Sequence, residues 1–199
     1  VIGDPDARTG IYALDDVDLF NLLCIPPYKE GDETTPGPVY AKALRYCEKR
    51  RAILIVDPPE EWRNTDEATK GIESPEFGLE RSPNAAVFFP RIKAPDPRED
   101  NRVRDFVPCG AVAGVIARID AQRGVWKSPA GSEATLKGVT DLAIRLTDEE
   151  TRSLSSLGIN CLRIMPGCRI VVWGARTMRG ADRLTEEWKY LPVRRTALY

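Results

Sequence analysis

The chain reads as an α/β protein, a mainly parallel sheet layered between helices, and three observations predict it. Residues 52–56 (AILIV) form a continuous apolar run that stops at Asp57-Pro58-Pro59, as in a parallel strand covered on both faces. Apolar residues at helical spacing alternate along the chain with further short apolar runs, a strand–helix–strand order that builds layered α/β domains. Near the C-terminal end, residues 159–165 and 169–175 flank Pro166-Gly167-Cys168 and read as an antiparallel hairpin.

Each element has its own local reason. Residues 19–25 are short and apolar and stop at Pro26-Pro27, which predicts a buried strand followed by a loop. Residues 31–38 read as a polar linker. From Val39 onward, Tyr40, Leu44 and Cys47 recur on one helical face, with Lys42, Arg45, Lys49 and Arg50 elsewhere, which predicts an amphipathic helix. Residues 60–70 read as a second helix stopped by Gly71. Residues 85–89 read as a strand closed by Pro90, and the Pro-rich, charged stretch 92–104 as an exposed loop. Residues 112–121 form the next helix, whose small residues Ala111, Ala113, Gly114 and Ala117 would let it press against a sheet. Thr147 opens another helix with a capping box: its hydroxyl accepts a backbone N–H while Glu150 reaches back. Gly158 is placed to end that helix in the left-handed conformation.

Composition narrows the class of function. With 199 residues, the chain holds one domain, or one domain and a small appendage. A net charge of −1 provides no global basic field for nucleic acid. No apolar run approaches the roughly 20 residues of a membrane helix, and no signal peptide is visible. The chain starts at Val1, so a trimmed or partial chain is expected. The five cysteines, at 24, 47, 109, 161 and 168, are odd in number and lack C-x-x-C spacing. They read as the reduced, buried thiols of a cytosolic protein, with a 161–168 bridge across the hairpin as the disfavoured alternative.

Several blocks recur together. They are Val112-Ala113-Gly114-Val115-Ile116-Ala117-Arg118, Arg123-Gly124-Val125-Trp126-Lys127, Gly158-Ile159-Asn160, Val172-Trp173-Gly174-Ala175-Arg176-Thr177, Trp188-Lys189-Tyr190 and Val193-Arg194-Arg195. In this order they resemble the sheath protein of contractile phage tails and related contractile injection systems. The opening, Thr9-Gly10-Ile11 through Cys24-Ile25-Pro26, fits more loosely, and the match is weakest over residues 61–81. The resemblance implies a core domain called subtilisin-like from its strand order. It marks Gly114, Arg118, Gly124, Trp126, Gly158, Trp173, Gly174, Arg176, Arg194 and Arg195 as structural motif positions. In the family a VRR block leads into a smaller C-terminal domain. Residues 1–199 are therefore expected to be a single core domain, with 1–17 leading in and 18–195 as the core, without that C-terminal domain or the linking arms.

A subtilisin-like scaffold invites a test for a catalytic triad. The triad needs an imidazole to take the serine proton and return it to the leaving amine, and this sequence has no histidine. The helix start Gly110-Ala111-Val112-Ala113-Gly114 echoes the pattern that carries the nucleophile in such proteases, but the nucleophile position falls on Phe106. Asp57 ends a parallel strand, where α/β enzymes place catalytic groups; with no base in sight it reads as a turn or cap residue. Asp15, Asp16 and Asp18 lack the glycine and distal glutamate of a calcium loop, and the scattered cysteines disfavour zinc. No Walker, dinucleotide, metalloprotease or nucleophile-elbow motif occurs. No cofactor, metal or catalytic residue is expected.

Surface readings complete the set. Arg45, Lys49, Arg50 and Arg51 read as the wet face of a helix. Trp126, Trp173 and Trp188 read as core or hinge anchors, with Trp173 facing the interior and Trp126 alternatively on a surface that packs on a neighbour. Residues 90–104 and 179–187 are the expected inter-protomer or outer surfaces. The resemblance implies assembly with other copies of the chain around an inner tail tube, bounded by baseplate and tail terminator proteins. It implies no nucleic acid or membrane partner, and a place in a virion tail or injection particle assembled in the bacterial cytoplasm. The alternative of another class is a soluble α/β hydrolase or nucleotide-binding protein sharing the architecture.

Overall fold

A computed structural model describes residues 2–28, 35–167, 169–183 and 187–199. A five-stranded sheet forms the centre, in the order β1 (Leu22–Cys24), β2 (Ile53–Val56), β3 (Ala85–Phe89), β7 (Ile159–Met165), β8 (Arg169–Val172). Its first four strands run parallel, in the register Leu23↔Leu54, Ile55↔Ala86 and Val87↔Ile159. β8 returns antiparallel to β7 just after Pro166-Gly167, which is the expected hairpin. All residues of β2 and β3 are buried, which is why their sequences read as unbroken apolar runs.

Two cores lie on opposite faces of this sheet. Leu54, Val56, Val87 and Phe89 pack with α1 (Gly37–Arg50), α2 (Thr65–Glu73) and α4 (Asp148–Ser156). Ile53, Ile55, Ala86 and Phe88 pack with α3 (Cys109–Arg123) and α5 (Leu191–Leu198). The period-2 alternation of a strand sends neighbouring residues into different cores. The result is the layered α/β arrangement read from the sequence.

Several boundaries differ from the sequence reading. β1 covers three residues because Leu19 lies 69% exposed, outside the sheet. α2 begins at Thr65, where the Asn64 side chain accepts the Glu67 N–H at 2.9 Å, and continues through Gly71 to Glu73. Gly71 is there for space: a Cβ would lie 2.0 Å from the Trp62 indole nitrogen. Residues 92–104 are a hairpin instead of a loop. β4 (Ile92–Asp96) and β5 (Arg102–Phe106) pair antiparallel, turning through Asp100 and Asn101 in the left-handed region, and β6 (Asp141–Leu142) joins β4. Pro95 sits within β4, and four of five β5 residues are exposed, so neither strand shows apolar alternation. In α3 the sheet-facing residues are Val112, Val115, Ile116 and Ile119, whereas Gly114 and Ala117 face outward. Of the four small residues expected to press against the sheet, Ala111 and Ala113 pack against its core and Gly114 and Ala117 do not.

The capping box is present: Thr147 Oγ1 accepts the Glu150 N–H, and Glu150 accepts the Thr147 N–H at 2.8 Å. Gly158 adopts φ 88° just after α4. Residues 31–34 of the expected linker, Cys168 with the disfavoured bridge, and residues 184–186 of the charged stretch lie outside the described residues. Cys24, Cys47, Cys109 and Cys161 are free thiols.

Candidate functional site

The C-terminal ends of parallel strands are where this architecture places chemistry, and Asp57 stands there after β2. It is 3% exposed. Its Oδ1 accepts the Cys109 N–H at 2.8 Å, so the carboxylate meets the first turn of α3, while Oδ2 is buried without a hydrogen-bond partner. The Asp57 N–H donates to the Tyr40 hydroxyl at 3.2 Å. Burial pushes the Asp57 carboxyl up to about 6, against the opposing hydrogen bond from Cys109 and the field of Arg91. Cys109 stands at a helix start that favours a thiolate in principle. Here its contact with Cys24 and its burial drive its pKa upward, and the Cys24 thiol itself donates to the Cys109 carbonyl at 3.5 Å. Phe106 closes β5. The group thus ties β1, β2, α1 and α3 together. The reading of Asp57 as a turn residue or cap of the next helix is corrected: Asn64 caps α2, and Asp57 instead accepts an N–H at the start of α3.

The motif positions do not converge on a pocket; several fasten separate joints, and Gly114 and the exposed Trp126 fasten none. Arg118 donates to the Thr135 carbonyl at 2.6 Å. Gly124 ends α3 at φ 93°, and a Cβ there would meet the Trp126 indole at 2.7 Å. Trp126 is 69% exposed, whereas Gly114 faces open space. Trp173 is 40% exposed, which corrects the interior placement, and the Arg163 guanidinium lies 5.9 Å from its ring centroid. Gly174 and Arg176 meet at Asn160: a Cβ on Gly174 would come 2.9 Å from Asn160 Oδ1, which accepts the Arg176 N–H at 2.6 Å. The Arg176 side chain pairs with Asp182 at 2.8 Å. Arg194 donates to Asn84 Oδ1 at 2.7 Å and lies over Trp188, and Arg195 pairs with Asp120. Gly158 has backbone of Thr177 and Ala181 at 3.3 Å from a would-be Cβ.

Sequence reasoning missed the partners, since Asn160, Asp120 and Asn84 gain their roles only through contacts 16 to 110 residues away. The basic cluster also divides. Arg50 donates to the Leu14 carbonyl at 2.7 Å and to Asp15 at 2.9 Å, and Arg51 holds the Leu198 carbonyl at the end of α5, so only Arg45 and Lys49 remain a wet face. Asp15 also accepts the Tyr46 hydroxyl at 2.7 Å, which occupies it structurally. Among the described residues no group of three or more His, Cys, Asp or Glu is placed to hold a metal ion, and no helix is long and apolar enough to cross a membrane.

The chain is a layered α/β scaffold in which several of the marked residues clamp strands, helices and the C-terminal segment to one another. The family model of the phage tail sheath protein central domain matches residues 1–178, and the chain belongs to that family. A Pseudomonas aeruginosa (strain UCBPP-PA14) protein named as a prophage major tail sheath protein is 28% identical over 98% of this chain and 49% of its own length. Among solved structures, the helical sheath of the anti-feeding prophage in its contracted state is 28% identical with a TM-score of 0.69, over 93% of this chain and 45% of that one. The contracted sheath complex of the extracellular contractile injection system PVC is 28% identical with a TM-score of 0.70, over 92% and 46%. The chain spans about half the length of the curated relative it matches.

Proposed function

We propose that this chain is the core domain of a contractile tail sheath protein, which polymerises as stacked rings around an inner tube and contracts to drive the tube through a target envelope. The observation that carries the reading is the agreement with a contracted helical sheath over 93% of the chain. In this reading residues 1–17 lead into the core at 18–195. The partners are other copies of itself, the inner tube protein, and baseplate and tail terminator proteins. The assembly belongs to a virion tail or injection particle built in the bacterial cytoplasm, and the role is mechanical instead of catalytic.

The mechanism needs a rigid protomer with two alternative sets of protomer contacts; contraction releases the free-energy difference between them. The doubly covered sheet and the clamps Arg195–Asp120, Arg176–Asp182 and Arg194–Asn84 support rigidity. Exposed charges suit contacts that break and re-form, because each surface pair is individually weak. Two outer surfaces are candidates for such contacts: the β4–β5 hairpin with its exposed strand β5, and the charged stretch 179–187. Expression of the full-length protein alone, followed by negative-stain electron microscopy, tests the reading. Striated hollow cylinders support it, and a monodisperse monomer under all assembly conditions refutes it.

A further inference from the structure

Two sides of α1 carry opposite chemistry. Beside its first turn is a cavity of about 590 Å3, lined by Tyr40, Trp62 and Phe77 and by the carboxylates of Glu61, Glu67 and Glu76. Lys70 is the one cation lining it among the described residues. The cavity lies toward the C-terminal ends of the parallel strands, since Pro59 and Glu61 follow β2 and Gly37 opens α1. The side chains of Glu61 and Glu76 have no hydrogen-bond or ion-pair partner among the described residues.

Farther along α1, Lys42, Arg45 and Lys49 fall on one stripe, opposite the core residues Tyr40, Leu44 and Cys47. The stripe is exposed, and Lys42 and Arg45 also lack a partner among the described residues. Lys42 follows the cavity-lining Tyr40 by two residues, but the stripe lies on the opposite, solvent-facing side of α1, and among the described residues no ion pair joins it to Glu61, Glu67 or Glu76 within one copy.

We propose that the acidic cavity rim at Glu61, Glu67 and Glu76 receives the basic α1 stripe, Lys42, Arg45 and Lys49, of a second copy of this chain. The proposal rests on the self-assembling reading above and names one of its contacts. Two different patches on different sides of one helix make a head-to-tail contact, the kind that generates rings or helical filaments. Tyr40, Trp62 and Phe77 provide apolar surface for the long aliphatic stems of lysine and arginine, while the carboxylates take their charged ends.

Charge reversal tests this in the full-length protein, with assembly scored by sedimentation and electron microscopy and folding by circular dichroism. Glu61→Lys with Glu76→Lys is expected to reduce the pelleted fraction at least tenfold, as is Lys42→Glu with Arg45→Glu. All four substitutions in one chain, or a mixture of the two doubly substituted proteins, are expected to restore assembly. Wild-type cylinders with folded variants that assemble equally well overturn this contact and leave the sheath reading standing. Folded variants that fail singly and are not restored in combination also overturn it. A wild-type protein that never assembles overturns both.

Discussion

The guanidinium of Arg195, 1% exposed, clasps the carboxylate of Asp120 with both terminal nitrogens, one at 2.9 Å, and so binds α5 to the last turns of α3. Removing Asp120 leaves the Arg195 charge unpaired in a buried site, which costs about 3–5 kcal/mol in buried pairs, whereas the carboxylate of Asp120, 20% exposed, keeps contact with water when Arg195 is removed. Asp120→Ala is therefore expected to lower the urea midpoint sharply, and Arg195→Ala to lower it by less. Arg195→Lys is expected to recover little, because an ammonium cannot reproduce the two-pronged geometry. Equilibrium urea unfolding measures all three; an Asp120→Ala midpoint within experimental scatter of wild type would refute the clamp.

Asp57 predicts a pH dependence. Its carboxyl is raised from 3.8 to about 6, chiefly by burial, with Cys109 and Tyr40 hydrogen bonding and Arg91 opposing. A raised value means the folded protein favours the protonated form. That stability is fully present below about pH 4 and is lost as pH rises through about 6. Two pH units correspond to about 3 kcal/mol as an upper bound. Asp57→Asn keeps an acceptor for the Cys109 N–H and removes the titration. The substituted protein is expected to match wild type near pH 4 and to exceed it near pH 8, read from paired thermal melts across that range. A constant offset between the two proteins would exclude Asp57 as the titrating group.

The doubly covered strands were legible because burial on both faces leaves no polar position to confuse the pattern, as in residues 52–56. The Thr147 capping box was legible because both of its bonds close within three residues. The β4–β5 hairpin was not, since its strands hold Pro95 and exposed charge and are defined by pairing alone. The motif arginines could be marked by resemblance, but their work depends on partners far along the chain, and no periodicity encodes a contact between Arg194 and Asn84.

Gly71 shows the same limit and gives a prediction of sign. In an exposed helix interior, glycine to alanine stabilises by about 1 kcal/mol. Here the added methyl would enter the indole of Trp62, which is itself held against Phe77 and Phe89 at ring-centroid distances of 5.2 and 6.3 Å. Overpacking costs about 1–3 kcal/mol, so Gly71→Ala is expected to lower the melting temperature. A raised melting temperature would mean that Trp62 moves freely.

Asn160 sits wholly buried where three chain segments meet. Its Nδ2 donates to the carbonyls of Val87 at 3.0 Å and Arg176 at 2.8 Å, while its Oδ1 accepts the Arg176 N–H at 2.6 Å. Two carbonyls on one side and an N–H on the other fix which end of the amide is which. Aspartate has the same shape but no donor when ionised, so its second oxygen would face two carbonyl oxygens in a dry site. Asn160→Asp is expected to cost at least about 3 kcal/mol near neutral pH. Protonation restores one donor, so the deficit should shrink as pH falls toward 4. Asn160→Ala, which loses the same bonds without introducing charge, should show a smaller deficit at neutral pH that does not vary with pH. Urea unfolding of the two variants at pH 4 and pH 7 separates loss of bonds from burial of charge; equal, pH-independent deficits would remove the charge argument.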